Sequence, residues 1–188
     1  VIGPAAGVTD AARANIEALA RAGRSLVLDA DALTVFGGQS VQLRAILSAP
    51  AILTPHTGEF ERLFPGLLAK SANRIDAVRA AASEVNTVVL LKGADTVIAA
   101  PDGRAVVNTH ATPFLATAGA GDVLAGIIGG LLAQGLSAFD AACAAAWMHG
   151  DAGLRVGAGL TAEDLDQALR GVLHDLHANR HGPTVIGL

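Results

Sequence analysis

Three short apolar runs in this chain are each followed by residues able to do chemistry, and a fourth group of such residues opens a long apolar segment. Asp29 and Asp31 follow Leu26-Val27-Leu28, and Thr54, His56 and Glu59 follow Ala51-Ile52-Leu53. Lys92, Gly93 and Thr96 follow Val88-Val89-Leu90-Leu91, and Thr117-Ala118-Gly119-Ala120-Gly121-Asp122 opens a long apolar segment. The last group is the most informative. Gly119, Ala120 and Gly121 at a helix start leave backbone N–H groups unobstructed, with the positive end of the helix dipole behind them. A phosphate or a developing oxyanion fits such a place, and Asp122 in the first turn is stabilised as an anion beside it. The plainer alternative is a Gly-rich start to a buried helix with an acidic first turn. Lys92 either contacts a nucleotide phosphate or marks where a strand meets water. His56 and Glu59 either bind a substrate and a magnesium-associated water, or form a capped turn. Asp29 and Asp31 read equally as a strand stop and a helix cap.

These residues need elements that bring them to one edge of the molecule. Thr9 caps a predicted helix through Ile16 and Leu19 that Gly23 stops. Buried strands are expected at 25–29, 51–54 and 87–92, and a hairpin at 96–100 and 104–108 around Pro101-Asp102-Gly103. Short helices are expected at 32–36, through Leu43 and Leu47, and from Gly58 to Phe64. An amphipathic helix spans 72–85, and three more run at about 121–134, 137–155 and 162–177. Apolar strands alternating with helices predict an α/β sandwich: a mainly parallel sheet, helices on both faces, and an antiparallel hairpin at one edge. Ligands on such sheets gather beyond the carboxyl ends of the strands, where the polar groups fall.

Composition narrows the function. The chain has 188 residues, 52% hydrophobic and 16% charged, which excludes disorder. The balance of 13 Lys+Arg against 17 Asp+Glu leaves no basic footprint for nucleic acid. Cys143, the only cysteine, excludes an internal disulfide and a Cys-based zinc cluster, and fits a reducing, cytoplasmic setting. The apolar stretch 123–136 is Gly-broken and short of a membrane span, so no membrane association is expected. There is no signal-peptide pattern, internal repeat or linker, and one domain is the simplest reading. The chain opens at Val1 and its only methionine is Met148. That opening reads as the end of a buried strand, from which an absent beginning is expected.

Other patterns carry less. Gly157-Ala158-Gly159-Leu160-Thr161-Ala162 spells a dinucleotide fingerprint but follows a helix rather than a strand. No Walker A sequence exists. His174, His177 and His181 lack a supporting carboxylate pattern and read as a solvated helix end. Trp147, Met148 and the alanines around Cys143 read as helix core.

Taken in order, several segments resemble one family. They are Gly3-Pro4-Ala5-Ala6-Gly7, Leu28-Asp29-Ala30-Asp31-Ala32-Leu33, Leu53-Thr54-Pro55-His56-Thr57-Gly58-Glu59, Leu91-Lys92-Gly93-Ala94-Asp95-Thr96, and Ala116-Thr117-Ala118-Gly119-Ala120-Gly121-Asp122-Val123-Leu124-Ala125-Gly126. The chain resembles the ADP/ATP-dependent NAD(P)H-hydrate dehydratases of the ribokinase-like superfamily. The resemblance implies a dehydratase that repairs hydrated NADH or NADPH with ADP or ATP and Mg2+. It implies Asp122 as base and substrate contact, and Gly7 and His56 as contacts to the hydrated nicotinamide nucleotide. Lys92, Gly93, Ala94, Asp95 and Thr96, with Gly119, Ala120 and Gly121, would bind the adenine nucleotide, and Glu59 would be linked to magnesium. It also implies a homo-oligomer. Ala5 stands where the family has Gly, Thr57 where it has Pro, and Thr112 where it has Asn; Asp95 replaces a small residue. The family's domain ordinarily has further strands and helices before Gly3, so the opening third is expected to be absent. A ribokinase-like small-molecule kinase and an inactive nucleotide-binding remnant are the competing readings.

Overall fold

Side chains on the strands alternate between two separate cores, which fixes where every helix must lie. The computed structural model describes residues 1–180, and His181 lies outside them. Strands β1 (Leu26–Leu28), β2 (Ala51–Leu53), β3 (Val88–Leu91), β4 (Thr96–Ala99) and β5 (Ala105–Asn108) lie side by side in chain order. Pairing is parallel from β1 to β3 and antiparallel from β3 to β5, with Leu26 opposite Ala51 and Val97 opposite Val107. Ile2 adds a parallel bridge to Leu28 beyond β1. The sheet is therefore mixed, with its parallel half at the β1 side and the expected hairpin at the β5 edge.

Leu26, Leu28, Leu53, Val89, Leu91, Val97 and Ala99 face one core with α1 (Asp10–Arg21), α2 (Asp31–Thr34), α3 (Ser40–Ile46), α4 (Thr57–Leu63) and α6 (Arg74–Val85). The short α5 (Leu67–Lys70) joins α4 to α6. Val27, Ile52, Val88, Leu90 and Ile98 face the other core with α7 (Ala120–Ala133) and α8 (Ala138–Val156). Alternate strand residues point to opposite faces, so continuous apolar runs bury both sides. A third cluster joins Ala120, Met148 and Ala152 to Leu165 and Val172 of α9 (Ala162–Arg180). Gly157, the C-cap of α8, places the fingerprint-like glycines in a turn between helices.

Local chemistry sets the helix ends. The Thr9 hydroxyl accepts the Ala12 N–H at the start of α1, as expected, and Asn73 and Ser137 cap α6 and α8. Trp147 departs from its expected place in the core. It is 38% exposed and stacks on His110, with ring centroids 5.3 Å apart. Cys143 is half-buried, and that burial pushes its thiol up to about 11, leaving it protonated and unreactive near neutrality. Ala5 adopts φ +56, so this chain keeps a left-handed turn without a glycine, at a cost of about 1–2 kcal/mol. Among the described residues, no helix is long and apolar enough to cross a membrane.

Candidate active site

The carboxyl ends of β1, β2 and β3 converge on one lysine. Beyond β2 and β3, His56 and Lys92 form a parallel bridge, and the Lys92 N–H donates to the Pro55 carbonyl at 2.8 Å. The Lys92 Nζ then reaches Asp29 Oδ1 at 2.7 Å and lies 4.0 Å from Glu59 Oε2. Asp29 is 1% exposed, and that ammonium is its ion-pair partner in the interior. Gly121 completes the group: a Cβ there would lie 3.4 Å from Nζ and 3.9 Å from Asp29 Oδ2. Asp29 is thus a lysine-holding group, beyond the strand-stop role suggested by its position.

His56 and Glu59 lock one another. His56 Nδ1 accepts the Gly58 N–H at 2.9 Å and the Glu59 N–H at 3.3 Å, while Glu59 Oε2 accepts the His56 N–H at 2.8 Å. This reciprocal capping box starts α4. Because Nδ1 accepts, the neutral ring carries its proton on Nε2, which lies 3.4 Å from Glu59 Oε1. Of the two roles considered for the pair from sequence, the structure shows the capped turn, and it sets that turn beside Lys92. Asp31 Oδ2 accepts the Gly7 N–H at 2.9 Å, tying the 3–9 loop to the end of β1.

At the start of α7, Gly119 has φ +84 and serves as N-cap. Its carbonyl accepts the Asp122 N–H at 3.0 Å, and the Ala120 N–H turns back to the Thr117 carbonyl at 3.4 Å. The Gly119 and Gly121 N–H groups have no partner among the described residues. The free donors at this turn are therefore two glycine N–H groups rather than the three consecutive ones expected from sequence. Asp122 is exposed, and its carboxylate makes no hydrogen bond or ion pair among the described residues. It is available as a proton acceptor.

A cavity of about 680 Å³ opens from this cluster. It is lined by Lys92, Gly93, Ala94 and Thr96, by residues 111–113 and 115–117, and by Gly121, Leu124, Ala146, His149 and Gly150. His56 and Asn108 complete it. Six residues singled out from sequence thus line the cavity: His56, Lys92, Gly93, Ala94, Thr96 and Gly121. Gly7, Glu59, Asp95, Gly119, Ala120 and Asp122 lie outside the lining. Behind the lining, Arg74 Nη2 comes within 2.7 Å of where a Gly93 Cβ would sit. Its Nε and Nη2 are buried without a hydrogen-bond partner among the described residues.

Sequence reasoning missed Arg74, Asn108, His149 and Gly150. The available signal was His149-Gly150-Asp151, a polar break in an alanine-rich helix. Gly150 is needed because α8 meets the 110–111 backbone directly; a Cβ there would sit 1.7 Å from the His110 carbonyl oxygen. Gly150→Ala should therefore force α8 and the cavity wall apart, costing about 1–3 kcal/mol. Urea denaturation measures the stability loss, and nucleotide titration should show weakened binding in the folded fraction.

His149 is 8% exposed, and burial holds its pKa below the ordinary 6.5. The Ala120 carbonyl pulls it upward, and the positive Lys92 pushes it further down. A base with a lowered folded pKa leaves the unfolded chain to bind the proton first. Stability from this group is present above 6.5 and is lost as pH falls below it. Urea midpoints should drop between about pH 7.5 and 5.5 in wild type and drop less in His149→Gln.

Comparison with known proteins agrees with this architecture. The family model described as NAD(P)H-hydrate dehydratase matches residues 1–172. The bifunctional NAD(P)H-hydrate repair enzyme Nnr of Thermosynechococcus vestitus is 48% identical over 148 residues, covering 79% of this chain and 28% of that protein. The ADP-dependent (S)-NAD(P)H-hydrate dehydratase of Neisseria meningitidis is 42% identical over 155 residues, covering 78% of this chain and 52% of that protein. Among solved structures, the Bacillus subtilis ADP/ATP-dependent NAD(P)H-hydrate dehydratase, co-crystallised with ATP/Mg2+ and soaked with CoA, superposes with a TM-score of 0.79. The two are 33% identical, and the match covers 93% of this chain and 64% of that one. The chain thus spans between about a quarter and two thirds of the length of these relatives.

Proposed function

Because the chain belongs to the NAD(P)H-hydrate dehydratase family, we propose that it restores hydrated NADH or NADPH at the expense of ADP or ATP. One observation carries this reading: Lys92 and the open Gly121 N–H meet at one end of the cavity, next to an exposed, unpartnered Asp122. The nucleoside lies in the cavity and its phosphates run toward Lys92 and Gly121. The hydrated nicotinamide ring approaches from the Asp122 side, with Gly7 and His56 at its border.

Hydroxide is a poor leaving group, and phosphorylation converts it to a good one. Asp122 takes the proton from the C6 hydroxyl as that oxygen attacks the terminal phosphorus. The new O–P bond forms as the bond to the remaining nucleotide breaks, releasing AMP from ADP or ADP from ATP. Lys92 and the glycine N–H groups stabilise the charge on the transferring phosphoryl group. The ring N1 lone pair then expels phosphate from C6, and loss of the C5 proton restores the dihydropyridine.

The surroundings fit a magnesium ion that arrives on the nucleotide. No group of three or more metal-ligating side chains is preassembled among the described residues, while Asp29 and Glu59 flank Lys92. Those two carboxylates would hold the ion's water shell, an arrangement suited to a cation that keeps its waters. When bound, the ion neutralises phosphate charge. Homo-oligomerisation belongs to the same reading, and light scattering measures it.

The test is incubation with hydrated NADH, magnesium, and ADP or ATP. Recovery of dihydronicotinamide absorbance that depends on nucleotide supports the dehydratase. Accumulation of a stable phosphorylated alcohol would replace it with a kinase, and binding without turnover with a nucleotide-binding remnant.

A further inference from the structure

At the end of β5, Asn108 lines the cavity with an amide whose orientation the protein fixes. Its Nδ2 lies 3.1 Å from the Ala146 carbonyl oxygen and 3.4 Å from that of His110. Two carbonyl oxygens can only accept, so the NH2 group must face them and the amide cannot flip. Oδ1 is left pointing the other way. It has no protein partner, yet it is absent from the buried polar atoms that lack one, so solvent reaches it. Asn108 thus presents a fixed, acceptor-only oxygen at a cavity whose remaining lining is largely apolar.

We infer that Asn108 is a specificity-determining residue that reads the purine base, its Oδ1 accepting from an amino group at the purine 6-position. This rests on the nucleotide reading of the cavity given above. A 6-amino purine supplies the donor that Oδ1 needs. A 6-oxo purine presents a second acceptor to it, leaving both oxygens desolvated and unpaired. Discrimination therefore comes from rejecting the oxo base as well as from holding the amino base. The same side chain ties β5 to α8, so its loss would also loosen the wall. The ratio between two bases separates these effects, because loosening weakens both nucleotides alike.

The experiment compares ADP with IDP, in which a 6-oxo group replaces the 6-amino group and N1 carries a hydrogen, by calorimetric titration of wild type, Asn108→Ala and Asn108→Asp. Wild type should bind ADP about tenfold or more tightly than IDP. Asn108→Ala should bind both more weakly with the ratio reduced toward one. Asn108→Asp sets a carboxylate oxygen, which cannot donate, against the Ala146 and His110 carbonyls, so the fixed orientation is lost and the ratio should fall as it does in Asn108→Ala. Equal binding of ADP and IDP by wild type, or an unchanged ratio in Asn108→Ala, would overturn the inference while leaving the nucleotide reading standing. Binding of neither nucleotide by wild type would overturn that reading and this inference with it.

Discussion

Asp122→Asn is expected to lower turnover by roughly 10²–10⁴ while leaving nucleotide affinity close to wild type. The loss follows from the proton acceptor alone. Asp122 sits in the first turn of α7, but its side chain takes no part in the backbone bonds that shape the turn, which run from the Asp122 N–H to the Gly119 carbonyl and from the Ala120 N–H to the Thr117 carbonyl. Its side chain is exposed and supports no neighbour among the described residues. The amide is nearly isosteric, so the glycine N–H groups and Lys92 keep their places. Single-turnover kinetics with saturating nucleotide read the effect. Near-normal turnover in a folded variant would remove Asp122 from the chemistry.

Lys92→Met is expected to act on both stability and binding. Removing the ammonium strands Asp29, whose side chain is 2% exposed, beside Glu59, whose side chain is 8% exposed. Breaking a fully buried pair costs about 3–5 kcal/mol; Lys92 is itself 22% exposed, so the expected loss is nearer 2–3 kcal/mol. Nucleotide affinity should fall about tenfold to a hundredfold, the worth of a charged hydrogen bond to phosphate. The two effects separate in the double variant Lys92→Met with Asp29→Asn. That protein no longer buries an unpaired carboxylate and should regain most of the stability without regaining affinity. Recovery of both would make Lys92 a structural residue only.

The parts of the fold legible in sequence were those decided locally. The runs 25–29, 51–54 and 87–92 are apolar without alternation because β1, β2 and β3 bury both faces, and no other element explains such runs as well. Thr9 and Pro101-Asp102-Gly103 carried their own capping and turning chemistry. The helix α5 and the 3-10 turn Pro113–Leu115 are too short to leave a period, and tertiary packing makes them. Trp147 misled because α8 packs against both the sheet and α9, leaving a narrow outer stripe that holds Trp147 and Leu154 seven residues apart. Within the site, Lys92 and Gly121 were readable from strand-end and helix-start patterns. Asn108 and His149 were not. Their meaning arises where the end of β5 meets α8, an approach 38 residues apart in the chain that no local window reports.

In this mechanism the hydroxyl oxygen of the hydrate leaves as part of the phosphate. Hydrated NADH carrying a heavy-oxygen label at its C6 hydroxyl tests this directly, by mass spectrometry of the inorganic phosphate released during repair with ADP and magnesium. The mechanism predicts one labelled oxygen in each phosphate formed, in step with the dihydronicotinamide recovered. Recovery of the dihydropyridine with the label in water and unlabelled phosphate would contradict it, because the hydroxyl would then have left without ever being phosphorylated.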